Sequence, residues 1–149
     1  MSPAIVMVLL QRDDGRVLAV RHNNRSAYCS NQVTVIGGKL ENGEFLDEGA
    51  ARELHEETGV RAAVEDLEIC QTVHYCDPDQ VRVIGVVFTA QRWRGEPYNA
   101  EPDKHDSVLW IEPGNPPADC HPCTRAVLEN FVAGRLYGNI TVPASGGAV

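Results

Sequence analysis

The chain has no excess of positive charge. It carries 13 Lys and Arg against 21 Asp and Glu, a formal net charge of −8 at pH 7, which excludes a broad electrostatic grip on a nucleic-acid polymer. Small phosphates stay open, because a divalent cation can supply the missing charge. Long apolar runs are also lacking. The opening stretch MSPAIVMVLLQRDDGR has no basic segment before its apolar run and no small-residue cleavage site after it, and the run is too short to span a bilayer. It reads as a first strand, and no membrane partner is expected. The 5 cysteines, at positions 29, 70, 76, 120 and 123, are odd in number and follow no disulfide framework, which suits a reducing cytoplasm. Cys120-His121-Pro122-Cys123 has CxxC spacing without a second CxxC, so a helix-entry turn is expected there before zinc or redox chemistry. Repeats and linkers are absent too. With 149 residues, 43% of them apolar, the chain is expected to form one globular domain over 1–142, with 143–149 (PASGGAV) as a flexible tail.

Within that domain the hydrophobic pattern alternates between strands and helices. Strands are expected at 4–10, 17–20, 33–36, about 67–75, 81–93 and 108–111. Asp14-Gly15 makes a hairpin turn between the first two. Asp77-Pro78-Asp79 marks a later turn, and 22–32 and 94–107 read as loops. A helix is expected from Leu46 to Thr58, where Leu46, Ala50 and Leu54 recur at i, i+4 and i+8 and Gly59 stops the run. Gly49 inside it costs roughly 1 kcal/mol relative to Ala. A second helix is expected at Thr124–Ala133, ended by Gly134. This order suggests a sheet with helices packed on it, the α/β/α sandwich class.

The most informative stretch is GKLENGEFLDEGAARELHEETGV, from Gly38 to Val60. On a helix, Glu53, Glu56 and Glu57 fall within an arc of about 100° beside the core-facing stripe. Three carboxylates there repel one another unless a cation lies between them. Hard dications such as Mg²⁺ favour such oxygens. The Gly37-Gly38 turn can bring a bare carbonyl close to the same ion, and Arg52 can hold a carboxylate in place by charge-assisted hydrogen bonds. Bound metal offsets charge on phosphate oxygens and acidifies water. Acidic helices are most often just solvated faces. Here, however, Gly38, Glu44, Arg52, Glu53, Leu54, Glu56, Glu57, Gly59 and Val60 all agree with one spacing.

At each of those positions the stretch resembles the Nudix box. The resemblance implies a Nudix-type α/β/α sandwich with a mixed β-sheet, and hydrolysis of a nucleoside diphosphate linked to a second moiety, with Mg²⁺ or Mn²⁺. It further implies Glu53, Glu56 and Glu57 as metal ligands, one of them also helping to activate water. Arg52 would orient them, Glu44 would join the catalytic group, and the Gly37 or Gly38 carbonyl would add a ligand. Two positions depart from the family pattern. Ile36 stands where many members have proline, and Phe45 replaces a capping Ser or Thr worth about 1 kcal/mol. Residues Tyr98–Lys104 resemble a segment of MutT-like members in which a glutamate reaches the metal, which nominates Glu101, with Glu96 and Asp106 as lesser candidates. Arg21, His22 and Lys39 are the candidate substrate contacts. Trp93 and Trp110 are expected to pack rather than stack on a base. Tyr75 and Pro78 fit no substrate marker. The favoured reaction takes a (deoxy)nucleoside triphosphate, oxidised ones included, to monophosphate and pyrophosphate. The alternatives are ADP-ribose or another nucleotide sugar, another small diphosphate, or a non-catalytic nucleotide-sensing module. Assembly is left open, a homodimer included.

Overall fold

A strand that is apolar at every position suits a place covered on both faces, and Ala4–Leu9 (β1) holds that place at the centre of the sheet. The computed structural model describes residues 4–143, so the expected tail lies outside the described residues except for Pro143. Chain order continues with Val17–His22 (β2), Val33–Lys39 (β3), helix Leu46–Thr58 (α1), a 3₁₀ turn at Val64–Asp66, Leu67–Cys76 (β4), Arg82–Ala90 (β5), His105–Ile111 (β6), helix Pro122–Ala133 (α2) and Tyr137–Thr141 (β7). The strands form one sheet in the order β6-β2-β3-β1-β5-β4-β7. Pairing is parallel for β1 with β5 and for β4 with β7, and antiparallel elsewhere, so the sheet is mixed.

Each face of the sheet carries one helix, and the two-residue period of the strands sorts side chains between them. Val6, Val8, Leu18, Val20 and Ile36 join Ala50 and Leu54 of α1 in one buried layer. Met7, Leu9, Val17, Val35 and Val87 join Val127 and Leu128 of α2 in the other. The α/β/α sandwich expected from the sequence is the fold. Among the described residues no helix is long and apolar enough to cross a membrane.

Four boundaries depart from expectation. β3 does not end at Ile36 but runs through Gly37 and Gly38 to Lys39, paired with β1 in the register Met7↔Gly37 and Val6↔Gly38. The expected glycine turn is therefore a strand. β5 stops at Ala90, before Trp93, and β6 starts at His105, inside the expected loop. α2 begins at Pro122, because proline is at home in a first helical turn, and His121 Nδ1 accepts the Cys123 N–H at 3.0 Å as its cap. The CxxC spacing is thus a helix-entry turn. β7 was not legible at all: it is an edge strand in which Ile140 is the one buried side chain.

Candidate active site

The geometry of the site starts with glycines that let α1 and β3 approach closely. A Cβ on Gly38 would sit 2.4 Å from Glu53 Oε1, so the carboxylate occupies the room a side chain would fill. On the helix, a Cβ at Gly49 would meet Leu40 Cδ1 at 2.7 Å and Glu44 Oε1 at 2.9 Å. This glycine, costly by helix propensity, lets the chain before α1 fold under it and deliver Glu44. Phe45 supplies no side-chain cap, but Glu48 Oε1 accepts the Phe45 N–H at 2.8 Å, the return half of a capping box. Gly59 ends α1 in the left-handed region, φ 75°.

Arg52 ties the carboxylates together. Its guanidinium grips Glu44 with both prongs, Nε to Oε2 at 2.7 Å and Nη2 to Oε1 at 3.0 Å. Nη1 donates to Glu53 Oε1 at 2.8 Å and to Glu56 Oε1 at 3.1 Å, and Nη2 also reaches the Lys39 carbonyl at 3.0 Å. The hydrogen bond from Arg52 holds the Glu44 carboxyl below its ordinary range. The same bonds, Glu44's first, raise the Arg52 pKa further.

Glu57 is not bonded to Arg52, meets that network through Glu53, and is 4% exposed. The Gly37 amide donates to its Oε2 at 3.1 Å, and His105 Nε2 lies 3.8 Å from its Oε1. Burial pushes the Glu57 carboxyl well above the ordinary range, the charge of Glu53 and a hydrogen bond with it add to the rise, and Glu101 contributes further. Glu101 is brought in by a strap. The Tyr98 amide donates to the Thr58 carbonyl and the Ala100 amide to the Glu57 carbonyl, while Asn99 binds the Glu101 N–H and the His105 carbonyl. Asn23, itself buried, anchors the far side through Lys104 and Asp103.

These groups line an open cleft of about 460 Å³ that also holds His22, Lys39, Leu40, Glu41, Lys104 and His105. The structure therefore brings together Gly37, Gly38, Lys39, Arg52, Glu53, Glu56, Glu57, Glu101 and His22, with Glu44 behind Arg52. Arg21 is the exception. It alternates with His22 along β2, falls on the α2 side with Val17 and Ala19, and pairs with Asp119. It does not line the cleft, unlike the other expected substrate contacts His22 and Lys39. Glu96 and Asp106 do not line it either. Trp93 and Trp110 pack against the α1-side core, with the Arg12 guanidinium 4.6 Å over the Trp110 ring. Sequence reasoning missed His105 and Lys104. Their signal was tertiary: His105 pairs with His22 across β2 and β6.

Whether this donor set suits a dication can be judged from Glu57. Among the described residues the Gly37 amide is the one hydrogen-bond donor to the buried Glu57 carboxyl, and burial with Glu53 and Glu101 beside it makes its ionised form costly unless a cation is bound. Its oxygens are the hard ligands that Mg²⁺ and Mn²⁺ favour. Among the described residues no three acidic, histidine or cysteine side chains already converge at ligating distance; Arg52 holds Glu53 and Glu56 to itself. The residues fit a hard divalent ion by charge and donor type.

A fold of this kind with this cleft defines a class, and comparison with known proteins agrees. The sequence profile of the NUDIX domain matches residues 1–131, and the chain belongs to that family. It is a hydrolase acting on phosphorus anhydrides. An 8-oxo-dGTP diphosphatase of Escherichia coli (strain K12) is 26% identical over 96 residues, covering 64% of this chain and 72% of that protein. A putative 8-oxo-dGTP diphosphatase of Bacillus subtilis (strain 168) is 29% identical over 111 residues, 74% of this chain and 70% of the other. In structure, the chain is similar to the MutT NUDIX hydrolase of Burkholderia pseudomallei, with a TM-score of 0.76 and 25% identity over 87% of this chain and 97% of that one.

Proposed function

We propose that the cleft hydrolyses a nucleoside triphosphate, deoxy and oxidised forms included, to the monophosphate and pyrophosphate, with Mg²⁺ or Mn²⁺. The observation that carries this reading is the buried Glu57 carboxylate beside Glu53 and Glu101 at the floor of an open cleft. The E. coli relative, named as acting on 8-oxo-dGTP, supports a triphosphate over a nucleotide sugar. In the reaction a water oxygen bonds to phosphorus while the bridging P–O bond breaks, pyrophosphate leaves, and a proton of the water is released. The metal, when bound, offsets charge on the phosphate oxygens and acidifies water.

The protein's own groups do the remaining work. Glu53, Glu56, Glu57 and Glu101, with the Gly37 or Gly38 carbonyl, would hold the ion. Arg52 fixes Glu44, Glu53 and Glu56 relative to one another, which spares the reorganisation a loose cluster would need. Lys39 and Lys104 line the cleft where the polyphosphate would lie, Lys104 with its Nζ 3.4 Å from Glu101 Oε2. His22, lining the same wall and bonded to Thr34 Oγ1 at 2.8 Å, limits the space beside it.

The experiment is a panel of canonical and oxidised (d)NTPs, ADP-ribose, nucleotide sugars and small diphosphates, with Mg²⁺ or Mn²⁺ and with chelator, read by ³¹P NMR. Monophosphate plus pyrophosphate from a triphosphate, lost on chelation, is the expected result. Turnover of ADP-ribose alone would move the substrate assignment. Tight nucleotide binding with no turnover of any compound would point instead to a sensor.

A further inference from the structure

Glu57 is the most buried of the cleft's carboxylates, yet one backbone amide is its one hydrogen-bond donor among the described residues, and that amide reaches only Oε2. The other oxygen faces the ring of His105, with Nε2 at 3.8 Å. His105 is itself 3% exposed, and its Nδ1 is buried without a hydrogen-bond partner among the described residues. A buried imidazole with one idle nitrogen beside a buried carboxylate calls for a physical account.

The tautomer follows from the surroundings. A neutral imidazole has one N–H. Placed on Nδ1, that proton would be a buried donor with nothing to bind, and, once a bound cation has ionised Glu57, the Nε2 lone pair would point at a carboxylate. Placed on Nε2, the donor meets the carboxylate and the idle group is an acceptor, which is the lesser cost. The ring is aimed from behind by His22, whose ring meets it edge to face with centroids 4.9 Å apart and planes at 85°. His22 is pinned in turn by Thr34 Oγ1. The β2–β6 register shifts between Arg21 and His22, and such irregularities re-aim side chains next to functional sites.

We propose that His105 is the positioning residue for Glu57: its Nε2–H faces Oε1 while the Gly37 amide holds Oε2, so the plane of the buried carboxylate is set from both ends. The proposal rests on the reading of Glu57 as a cation-holding group given above. At 3.8 Å the contact is longer than a formed hydrogen bond; contacts of this kind tighten when the reacting complex assembles. Thr34, His22, His105 and Glu57 then form one chain of contacts from β3 across β2 and β6 to α1.

The test uses the full-length protein. In the Mg²⁺-loaded, ¹⁵N-histidine-labelled protein, where Glu57 is ionised, long-range ¹H–¹⁵N spectra, with His105 assigned by its loss in His105→Gln, should report the Nε2–H tautomer. An Nδ1–H tautomer overturns the proposal. Calorimetric titration with Mn²⁺ should give a roughly 10–100-fold weaker affinity in His105→Leu, with kcat falling similarly and KM little changed. His105→Gln, whose amide nitrogen reaches the place of Nε2, should recover most of both. Wild-type Mn²⁺ affinity in a folded His105→Leu, or a glutamine variant no better than the leucine one, also overturns it. If His105→Leu fails to fold, the tautomer and the glutamine variant decide. If the wild-type protein turns over no nucleotide, the proposed function falls while the tautomer and the Mn²⁺ affinity still judge His105.

Discussion

Replacing Gly38 by alanine puts a methyl carbon 2.4 Å from Glu53 Oε1, 2.6 Å from its Cδ and 2.8 Å from Oε2. Ordinary contact begins near 3.4 Å, so the carboxylate must retreat by about 1 Å. What yields is the end of a flexible side chain, so the cost to folding is that of an off-rotamer shift, about 0.5–1.5 kcal/mol. The cost to catalysis is larger. A misplacement of about 1 Å in a reacting constellation lowers the rate on the order of 10²-fold, or ~2.7 kcal/mol of barrier. Gly37→Ala, at a residue whose amide also holds Glu57, adds a larger cost to folding. Its Cβ would fall 2.4 Å from the Val6 carbonyl oxygen and 3.2 Å from Met7 Cα, backbone atoms of the central strand that cannot swing aside. Overpacking there should cost ~1–3 kcal/mol, roughly 2–12 °C in Tm for a chain of this size. Thermal melts and kcat/KM for pyrophosphate release, measured on both variants, separate the two effects. Wild-type kcat/KM in Gly38→Ala would refute the idea that Glu53 must lie over a bare backbone. Equal melting of Gly37→Ala and wild type would refute the packing argument for β3 against β1.

Two further outcomes follow from the same geometry. Glu57 holds its proton more tightly folded than unfolded, because its folded pKa is raised above 4.5. The chelated protein should therefore gain stability as pH falls through that raised pKa toward 4.5 and lose it as pH rises. Glu44, held low by Arg52, acts oppositely and only below its ordinary value. Melts of chelated wild type and Glu57→Gln across pH should differ most on the alkaline side, with the variant flatter and its turnover with metal down by orders of magnitude; parallel pH curves would count against the Glu57 assignment. Arg21→Ala should leave KM and kcat close to wild type, since the side chain pairs with Asp119 on the α2 side; a large rise in KM would return Arg21 to the substrate contacts.

What the sequence made legible was local in spacing. The Gly38–Val60 stretch specifies a helix, its stop and its carboxylates within one run of chain, and α1 has the expected bounds, Leu46–Thr58. What stayed hidden depends on pairing between distant strands. Gly37-Gly38 reads as a turn until β1 is laid beside it. His105 reads as a loop residue until β6 is paired with β2. Arg21 and His22 look equivalent in sequence, yet the strand period sends one to each face. β7 buries too little for its pattern to register, and its Gly138 is needed because a Cβ there would meet Asn130 Nδ2 at 2.5 Å.

Gly59 joins the two kinds of information. Its usual explanation is conformational, a left-handed stop at φ 75°. It has a second duty: a Cβ there would lie 2.2 Å from Tyr98 Cε1 and 2.8 Å from Cζ, because the tyrosine ring occupies the room a side chain would fill. Tyr98 begins the strap whose amides bond to Thr58 and Glu57 and which delivers Glu101 to the cleft. Any side chain at position 59 should therefore lift the ring and loosen Glu101 from Glu57. Asparagine separates the two duties, since it accepts the left-handed region far better than alanine but carries the same Cβ. If Tyr98 sets the requirement, Gly59→Asn and Gly59→Ala should lose similar amounts of Mn²⁺ affinity and kcat, while alanine alone pays the further backbone cost of about 1–2 kcal/mol in the melt. Near-wild-type activity in the asparagine variant would mean that conformation is the whole reason for the glycine, and that the strap does not depend on the ring seated there.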